Sequence, residues 1–193
     1  MTHDDPIARF AREHERAGAR EEFEASRCAV ATVDEKGLPT VRFVLLKGFD
    51  ARGFVFFTNT ESAKARDLAV NPHAAMAFHW HTIGVQVRIR GPVTRVSDAQ
   101  ADAYFASRDR GSQLGAWASR QTSPLDRRES LETAVRETAK RFEGVPVERP
   151  PFWGGYRIAP KAIEFWENRD DRLHDRWLYE RDRNAWRVVR LYP

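Results

Sequence analysis

Short blocks of alternating apolar and polar residues run through most of the chain and predict β-strands. Two such blocks, residues 28–33 and 38–47, flank the polar turn 34–37, which is typical of a β-hairpin. Blocks bounded by glycine, proline or polar turns predict further strands at residues 54–58, 74–81, 85–96, 155–158, 163–166, 176–180 and 185–190. Many closely spaced strands favour an antiparallel barrel.

Helical signals interrupt these strands and are inserted among them instead of alternating with them. The fold class is therefore predicted as mainly β with inserted helices (α+β). We expect one domain over residues 28–193, preceded by a helical and irregular N-terminal segment over residues 1–27. From capping residues, we expect helices at residues 5–18, 62–70, 97–107 and 123–142.

Composition narrows the class of protein. The chain is 41% hydrophobic and 31% charged, its apolar runs are too short to span a bilayer, and its first residues lack the pattern of a signal peptide. We therefore expect a cytoplasmic protein that needs no membrane. The single cysteine, Cys28, excludes an intrachain disulfide. The net charge of +4 is interspersed along the chain, which favours discrete anion sites over nucleic-acid binding.

A cluster of cations near the C-terminus is the first candidate site. If a strand begins near Arg172, then Arg172, His174 and Arg176 point to the same face. Two guanidiniums beside an imidazole suit an anionic or electron-rich planar ligand. The alternative is a solvated edge strand with ordinary charge alternation.

A second set of cations lies in the first half of the chain. Arg42 and Lys47 are an odd number of residues apart, so an ideal strand places them on opposite faces unless a bulge intervenes. Phe57 and Thr58 lead into the helix that begins after Ser62, where Lys64 and free backbone amides can bind a phosphate. The alternative is that these cations are ordinary charged side chains exposed to solvent.

Two further groups are candidates for ligand binding. Tyr104 and Arg108 are four residues apart on a predicted helix, hence neighbours, and Ser112 lies just past the helix end. A phenol, a guanidinium and a hydroxyl can together hold a phosphate monoester. On strand 85–96, Gln86 either hydrogen-bonds the edge of a heteroaromatic ring or is an ordinary exposed polar residue.

Other catalytic chemistries find no support in the sequence. His79 and His81 share a predicted strand face, but no third ligand lies nearby, so we expect no metal. The chain contains no nucleophile elbow and no evident pair of catalytic carboxylates.

Five sequence blocks, taken together over residues 30–193, resemble the pyridoxine/pyridoxamine 5′-phosphate oxidase family. The chain also ends much as members of that family do, with Trp186 followed by Arg190-Leu-Tyr-Pro. The blocks occur in the family's order, and they are RFVLLK at 42–47, SQLGAW at 112–117, WGGY at 153–156, IEFW at 163–166 and RLHDR at 172–176.

The resemblance implies a split β-barrel that binds FMN and forms a homodimer with two active sites at the subunit interface. It places Arg172 and His174 over the substrate's pyridine ring as catalytic residues. It implies that the substrate phosphate is held by Lys47, Tyr104, Arg108 and Ser112. It implies that FMN is bound by Arg42, Phe57, Thr58, Lys64, Gln86, Gln121, Thr122, Trp166 and Arg176.

The implied reaction oxidises pyridoxamine or pyridoxine 5′-phosphate to pyridoxal 5′-phosphate, with O2 as acceptor and hydrogen peroxide as product. This fits a site with phosphate clamps and no nucleophile, since the flavin carries the redox step. Two alternatives stay open. One is a related flavin oxidase acting on another substrate, such as a dihydro-aromatic acid, and the other is a flavin or pyridoxal-phosphate binding module without turnover.

Three positions depart from the family pattern. Ala63 and Val85 stand where the family usually has arginine, and Thr122 replaces a serine but keeps the hydroxyl. Since a charge-assisted phosphate contact contributes roughly 1.5–3 kcal/mol, the change at Ala63 predicts FMN binding weaker by about tenfold to a hundredfold. Arg66, one helical turn further on, is the candidate replacement for the missing arginine.

Overall fold

The computed structural model describes residues 5–21, 24–183 and 185–193. The described part contains ten strands, which are β1 (Arg27–Val33), β2 (Pro39–Leu45), β3 (Gly48–Asp50), β4 (Gly53–Asn59), β5 (His73–Trp80), β6 (Val85–Arg95), β7 (Trp153–Ile158), β8 (Ala162–Glu167), β9 (Asp175–Asp182) and β10 (Ala185–Leu191). It also contains five α-helices, which are α1 (Pro6–Gly18), α2 (Ala63–Val70), α3 (Asp98–Ala106), α4 (Arg110–Ala118) and α5 (Arg128–Arg141).

The strands form one antiparallel sheet that curls on itself. Its main path runs β10-β9-β8-β6-β5-β1-β2, and β4 pairs with β3 and β7. Strand β6 joins the two parts, because Val85–Arg90 pairs with β8 while Val93–Arg95 pairs with β7. This arrangement confirms the mainly β, antiparallel fold with inserted helices that the sequence predicts, and its sheet forms a half-barrel. No helix in the described ranges is long and apolar enough to cross a bilayer.

Helix α1 packs into the main core. Phe10 is fully buried and makes edge-on ring contacts with Phe49, Phe54 and Phe78 at centroid distances of 4.9 to 5.1 Å. Asp5 caps the helix by accepting a hydrogen bond from the Ile7 nitrogen, as the sequence predicts. The helix therefore closes one side of the half-barrel. The proposed boundary at residue 27 stays a prediction.

A smaller core cluster lies between the helices and β7. Phe105, Phe142, Val147 and Trp153 are its buried members, and Phe57 and Tyr104 pack against them. The ring of Phe57 stacks on Trp153 at 5.2 Å. Gly155 permits that stacking, since an added Cβ would lie 2.7 Å from the Phe57 ring. This cluster supports the functional pocket described below.

The structure corrects three of the predicted elements. Residues 110–118 form helix α4, which was not predicted, since Ser112 was expected just past a helix end. Asp109 caps this helix by accepting from the Ser112 nitrogen at 2.8 Å, and that bond offsets the low helix propensity of glycine. Helix α5 begins at Arg128 and not at residue 123.

The third correction concerns the C-terminal cations. Residues Asp170–Arg172 form a short 3-10 turn, and strand β9 begins only at Asp175. Both Asp171 (φ 54°) and Arg172 (φ 61°) adopt left-handed backbone conformations, which are incompatible with an extended strand. The simple alternation that placed Arg172, His174 and Arg176 on one strand face is therefore wrong.

Candidate functional site

A pocket of about 690 Å³ opens where β2, β4, the start of α2, α3 and α4 meet. We call it the cationic pocket. Six of the predicted FMN residues and four of the predicted substrate residues line it together. They are Arg42, Lys47, Phe57, Thr58, Lys64, Tyr104, Arg108, Ser112, Gln121 and Thr122.

Lys64 is the most buried cation of the pocket. Its side chain is 5% exposed, and Nζ donates to Thr58 Oγ1 at 3.0 Å and to Gln121 Oε1 at 2.9 Å. Burial and, to a smaller extent, the nearby charge of Arg42 lower the pKa of Lys64 to about 8, while the charge of Asp67 opposes both effects. An anion in the pocket would favour the charged form, because Lys64 has no carboxylate among its hydrogen-bond acceptors.

Arg42 is held against the sheet by two threonines. Its Nη1 donates to Thr32 Oγ1 and its Nη2 to Thr40 Oγ1, both at 2.6 Å. Burial lowers the pKa of Arg42, and the charge of Asp67 raises it. Lys47 lies beyond the end of β2, so strand alternation does not separate the two cations, and both line the same pocket.

The start of α2 is closed by a strained loop. Thr122 has a φ of 72°, a costly conformation for a β-branched residue, and its hydroxyl accepts from the Ala63 nitrogen at 2.9 Å. Ser62 precedes the helix as predicted, but its hydroxyl donates to the Asn59 carbonyl and does not cap the helix. The strained Thr122 therefore takes up one of the first helix amides.

The other end of the pocket carries a guanidinium without a complete set of acceptors. Nη1 of Arg108 is buried and has no hydrogen-bond partner among the described residues, and the guanidinium lies 5.0 Å from the centre of the Trp153 ring. Helix α3 ends at Ala106, so Arg108 lies just beyond the helix on which it was predicted. Ser112 lies in the first turn of α4, not past a helix end. Although both lie on other elements than predicted, Arg108 and Ser112 line the same pocket.

The remaining predicted residues form a second group, which we call the outer-strand group. Gln86, Trp166 and Arg176 occupy adjacent register positions on β6, β8 and β9, so their side chains share one face of the sheet. The His174 ring lies 4.3 Å from the Trp166 ring, and Arg172 is exposed in the turn before it. None of these five residues lines the cationic pocket of its own chain.

The departures from the family pattern have different structural settings. Val85 is buried in the main core, whereas its neighbour Gln86 points to the opposite face of β6. Ala63 lines the cationic pocket directly. Arg66 does not, because its Nη1 donates to the Glu61 carbonyl at 2.5 Å on an exposed side of α2. The expectation that Arg66 replaces the missing arginine is therefore not supported by its position.

Three residues that sequence reasoning missed support the site. Thr32, Thr40 and Asp67 surround Arg42 and connect it to α2. A signal was present, since the predicted hairpin pairs the two threonines across β1 and β2. Asp67 lies three residues after Lys64 and hence near it on the same helix. No group of three or more His, Cys, Asp or Glu side chains within the described ranges could hold a metal ion.

The fold and the site together define a class of protein, an antiparallel half-barrel with a pocket lined by cationic and aromatic side chains. A family model described as pyridoxamine 5′-phosphate oxidase matches residues 17–142. A second model, described as the pyridoxine 5′-phosphate oxidase C-terminal dimerisation region, matches residues 153–193.

Relatives agree with these matches. A pyridoxine/pyridoxamine 5′-phosphate oxidase of Anaeromyxobacter dehalogenans is 56% identical over 98% of this chain and 96% of its own. One of Rubrobacter xylanophilus is 52% identical over 98% and 87%. The structure of PhzG from Burkholderia lata 383, in complex with tetrahydrophenazine-1-carboxylic acid, has a TM-score of 0.93 and 31% identity, covering 100% of this chain and 94% of that one.

The chain belongs to the pyridoxamine 5′-phosphate oxidase family. It is an oxidoreductase with FMN as its cofactor. The residues present fit that group, because the cationic pocket offers buried, incompletely paired cations to a phosphate and flat aromatic side chains beside them.

Proposed function

We propose that this enzyme oxidises pyridoxamine and pyridoxine 5′-phosphate to pyridoxal 5′-phosphate. The observation that carries the proposal is the buried Nη1 of Arg108, which has no hydrogen-bond partner in the described part of the chain and lies in one pocket with Lys47, Tyr104 and Ser112. An unpaired buried guanidinium nitrogen is costly, and a phosphate monoester would supply the missing charge-assisted hydrogen bond.

Two anion sites in one pocket match a phosphorylated cofactor and a phosphorylated substrate. We assign Arg42 and Lys64 to the phosphate of FMN, since they lie beside the start of α2. We assign the group around Arg108 to the substrate phosphate. The stacked rings of Phe57 and Tyr104, 4.2 Å apart, line the same pocket.

The proposed active unit is a homodimer with FMN at the subunit interface. The outer-strand group would then complete the cationic pocket of the second copy, which explains why neither group alone contains all the expected residues. A match to a dimerisation region over residues 153–193, the segment that carries Trp166, Arg172, His174 and Arg176, supports this arrangement. The cytoplasmic location and the lack of nucleic-acid partners stay predictions from the sequence.

The proposed reaction is a two-electron oxidation at the carbon that becomes the aldehyde. Pyridoxine 5′-phosphate and O2 give pyridoxal 5′-phosphate and hydrogen peroxide, whereas the amine also consumes water and releases ammonia. FMN supplies, when bound, the two-electron redox chemistry. The protein contributes binding and orientation, which lower the barrier by holding the reacting carbon in place.

Two residues of the outer-strand group are proposed to act on the substrate ring. Arg172 provides a fixed positive charge and a planar fork that hold the pyridine ring. The Nδ1 of His174 accepts from the Arg169 nitrogen at 3.2 Å, so the neutral imidazole carries its proton on Nε2. His174 would therefore offer an N–H donor to the substrate.

A substrate panel tests the proposal. Purified enzyme saturated with FMN is assayed for peroxide release with pyridoxamine 5′-phosphate, pyridoxine 5′-phosphate and unphosphorylated pyridoxamine. The proposal expects turnover of both phosphorylated compounds and a much higher KM for pyridoxamine, since Arg108 would lack its anion. Equal KM values for the phosphorylated and unphosphorylated amines would contradict it.

A second candidate function is the oxidation of a reduced phenazine-type carboxylic acid. The full-length similarity to PhzG, which was crystallised with such a compound, favours it. The residues around Arg108 argue against this function, because Lys47, Tyr104, Arg108 and Ser112 together offer more hydrogen-bond donors than one carboxylate needs. Turnover of a dihydrophenazine carboxylic acid, without turnover of the phosphorylated vitamers, would select this function.

A further inference from the structure

Asp67 lies on α2, one turn after Lys64, and does not line the cationic pocket. We infer that Asp67 is a positioning residue that orients Arg42 and supports the charge of Lys64, and thereby sets the affinity of the pocket for the phosphate of FMN. This inference rests on the proposed assignment of Arg42 and Lys64 to that phosphate.

A relay of hydroxyl groups connects Asp67 to Arg42. Thr32 Oγ1 donates to Asp67 Oδ2 at 2.6 Å, and Thr40 Oγ1 donates to the same oxygen at 3.2 Å. A carboxylate only accepts, and each hydroxyl has a single hydrogen to give. Both hydroxyls must therefore turn their lone pairs toward Arg42.

The guanidinium uses these lone pairs. Two of its nitrogens donate to the two threonine hydroxyls at 2.6 Å each, and Nη1 also donates to the Val30 carbonyl at 3.3 Å. The direction of the whole relay is thus fixed by the charge of Asp67. Without the charge of Asp67, the threonine hydroxyls are free to rotate. Their hydrogens can then point at the Arg42 guanidinium, which has no acceptor, and the hydrogen bonds that orient Arg42 are lost.

The fold builds this relay from three elements. Thr32 and Thr40 face each other across β1 and β2, and Arg42 follows Thr40 by two residues, so it points to the same face. Helix α2 packs against β1 and brings Asp67 to this face. Thr32 is fully buried and Asp67 nearly so, which keeps competing water away.

Asp67 also offsets the repulsion between the two cations. Arg42 lowers the pKa of Lys64, whereas Asp67 raises it. Asp67 Oδ2 lies 3.7 Å from Arg42 Nη2. The charged groups that act on Lys64 are Arg42 from β2 and Asp67 from its own helix.

The role inferred for Asp67 and its distance from the anion site alone predict opposite changes in FMN affinity when its charge is removed. Removing a negative charge near an anion site should strengthen anion binding if distance alone matters. If Asp67 orients Arg42 and supports the charge of Lys64, removing the negative charge of Asp67 weakens anion binding. The sign of the change in FMN affinity after Asp67→Asn therefore distinguishes the two accounts.

The test titrates full-length enzyme with FMN and with riboflavin, which lacks the phosphate. We expect Asp67→Asn to weaken FMN binding by about tenfold, a typical effect of one lost charge-assisted contact. Riboflavin binding should stay unchanged. The control Glu132→Gln removes an equivalent charge from the exposed face of α5, where it pairs with Arg128, and should change neither ligand.

The pH profile gives a second readout that a merely structural role would not alter. In Asp67→Asn, the loss of FMN affinity with rising pH should begin at lower pH than in the wild type. FMN affinity that is unchanged or increased in Asp67→Asn, with an unshifted profile, would overturn the inference.

A second variant covers the case in which Asp67→Asn does not fold. Thr40→Val keeps the charge of Asp67 but removes one acceptor of Arg42, and should also weaken FMN selectively. Wild-type FMN affinity in Thr40→Val would overturn the inference as well. If the wild-type enzyme binds FMN no better than riboflavin, the phosphate assignment itself fails, which is a distinguishable result.

Discussion

Lys64 Nζ donates to Gln121 Oε1 across 2.9 Å, which joins the start of α2 to the segment after α4. Both residues line the cationic pocket, and both were expected to bind FMN. The contact is between a buried ammonium and a neutral amide, and none of the acceptors of Lys64 within the described ranges is anionic. The behaviour of this charge leads to the first prediction.

FMN affinity should fall as the pH rises past the pKa of Lys64, which burial lowers to about 8. The protonated form binds the phosphate, so affinity is complete below this pH and is lost above it. The limiting slope is about tenfold per pH unit for one required proton. Fluorescence titration of flavin binding across this range measures the effect.

The matched variant Lys64→Gln removes the titrating group. It should bind FMN more weakly than the wild type at neutral pH and show a flat profile through the same range. A wild-type curve that is equally flat would show that Lys64 does not contact the phosphate in its charged form.

Arg108→Gln should raise KM for pyridoxamine 5′-phosphate by about tenfold to a hundredfold, the effect of losing one charge-assisted phosphate contact. FMN affinity should not change, because Arg42 and Lys64 are intact. Steady-state kinetics at saturating FMN measures the KM, and flavin titration measures the FMN affinity. The control Arg136→Gln, on the exposed part of α5, should leave both unchanged. An unaltered KM in Arg108→Gln would refute the substrate assignment.

Ala63→Arg should tighten FMN binding by about tenfold, since it adds a guanidinium to the pocket at the helix start. Arg66→Ala serves as its partner experiment. Because Arg66 is bonded to the Glu61 carbonyl outside the pocket, its removal should leave FMN affinity unchanged. A large loss of affinity in Arg66→Ala would mean that this side chain moves to the phosphate and fills the gap.

Mixing two impaired variants, assayed at a substrate concentration well below their KM, tests the shared active site. Arg108→Ala and Arg172→Ala each impair every site of their own homodimer. If each site combines Arg108 from one copy with Arg172 from the other, random mixed dimers contain one intact site in half of the population. Activity should then recover to about a quarter of the wild type after co-refolding or co-expression. No recovery, with mixed dimers verified, would place both arginines in the same chain's site.

Local signals explain why most of the strands and several helices were predicted. The hairpin of β1 and β2 follows from alternation and a polar turn, and α3 follows from Ser97, whose hydroxyl accepts from the Gln100 nitrogen. Helix α4 was missed since its glycines indicate a loop, whereas its stability depends on the cap by Asp109. The turn at Arg172 depends on left-handed backbone angles, for which no glycine gives a signal.

The family resemblance predicted which residues belong to the site. It did not predict that they separate into the cationic pocket and the outer-strand group. Arg42, Lys64 and Arg108 come from distant parts of the chain and meet only through the curl of the sheet. The separation of Trp166 and Arg176 from them depends on strand order, which sequence periodicity does not encode. Asp67 was missed because its spacing from Lys64 becomes informative only once Thr32 and Thr40 are known to donate to it.

The central claim is that this enzyme oxidises pyridoxamine 5′-phosphate with FMN as cofactor. The most direct measurement is the visible spectrum of the FMN-loaded protein under anaerobic conditions, before and after pyridoxamine 5′-phosphate is added. The account predicts that the yellow flavin band bleaches and returns when air is admitted. A flavin band that persists with the phosphorylated amine, in protein that binds FMN normally, would contradict it.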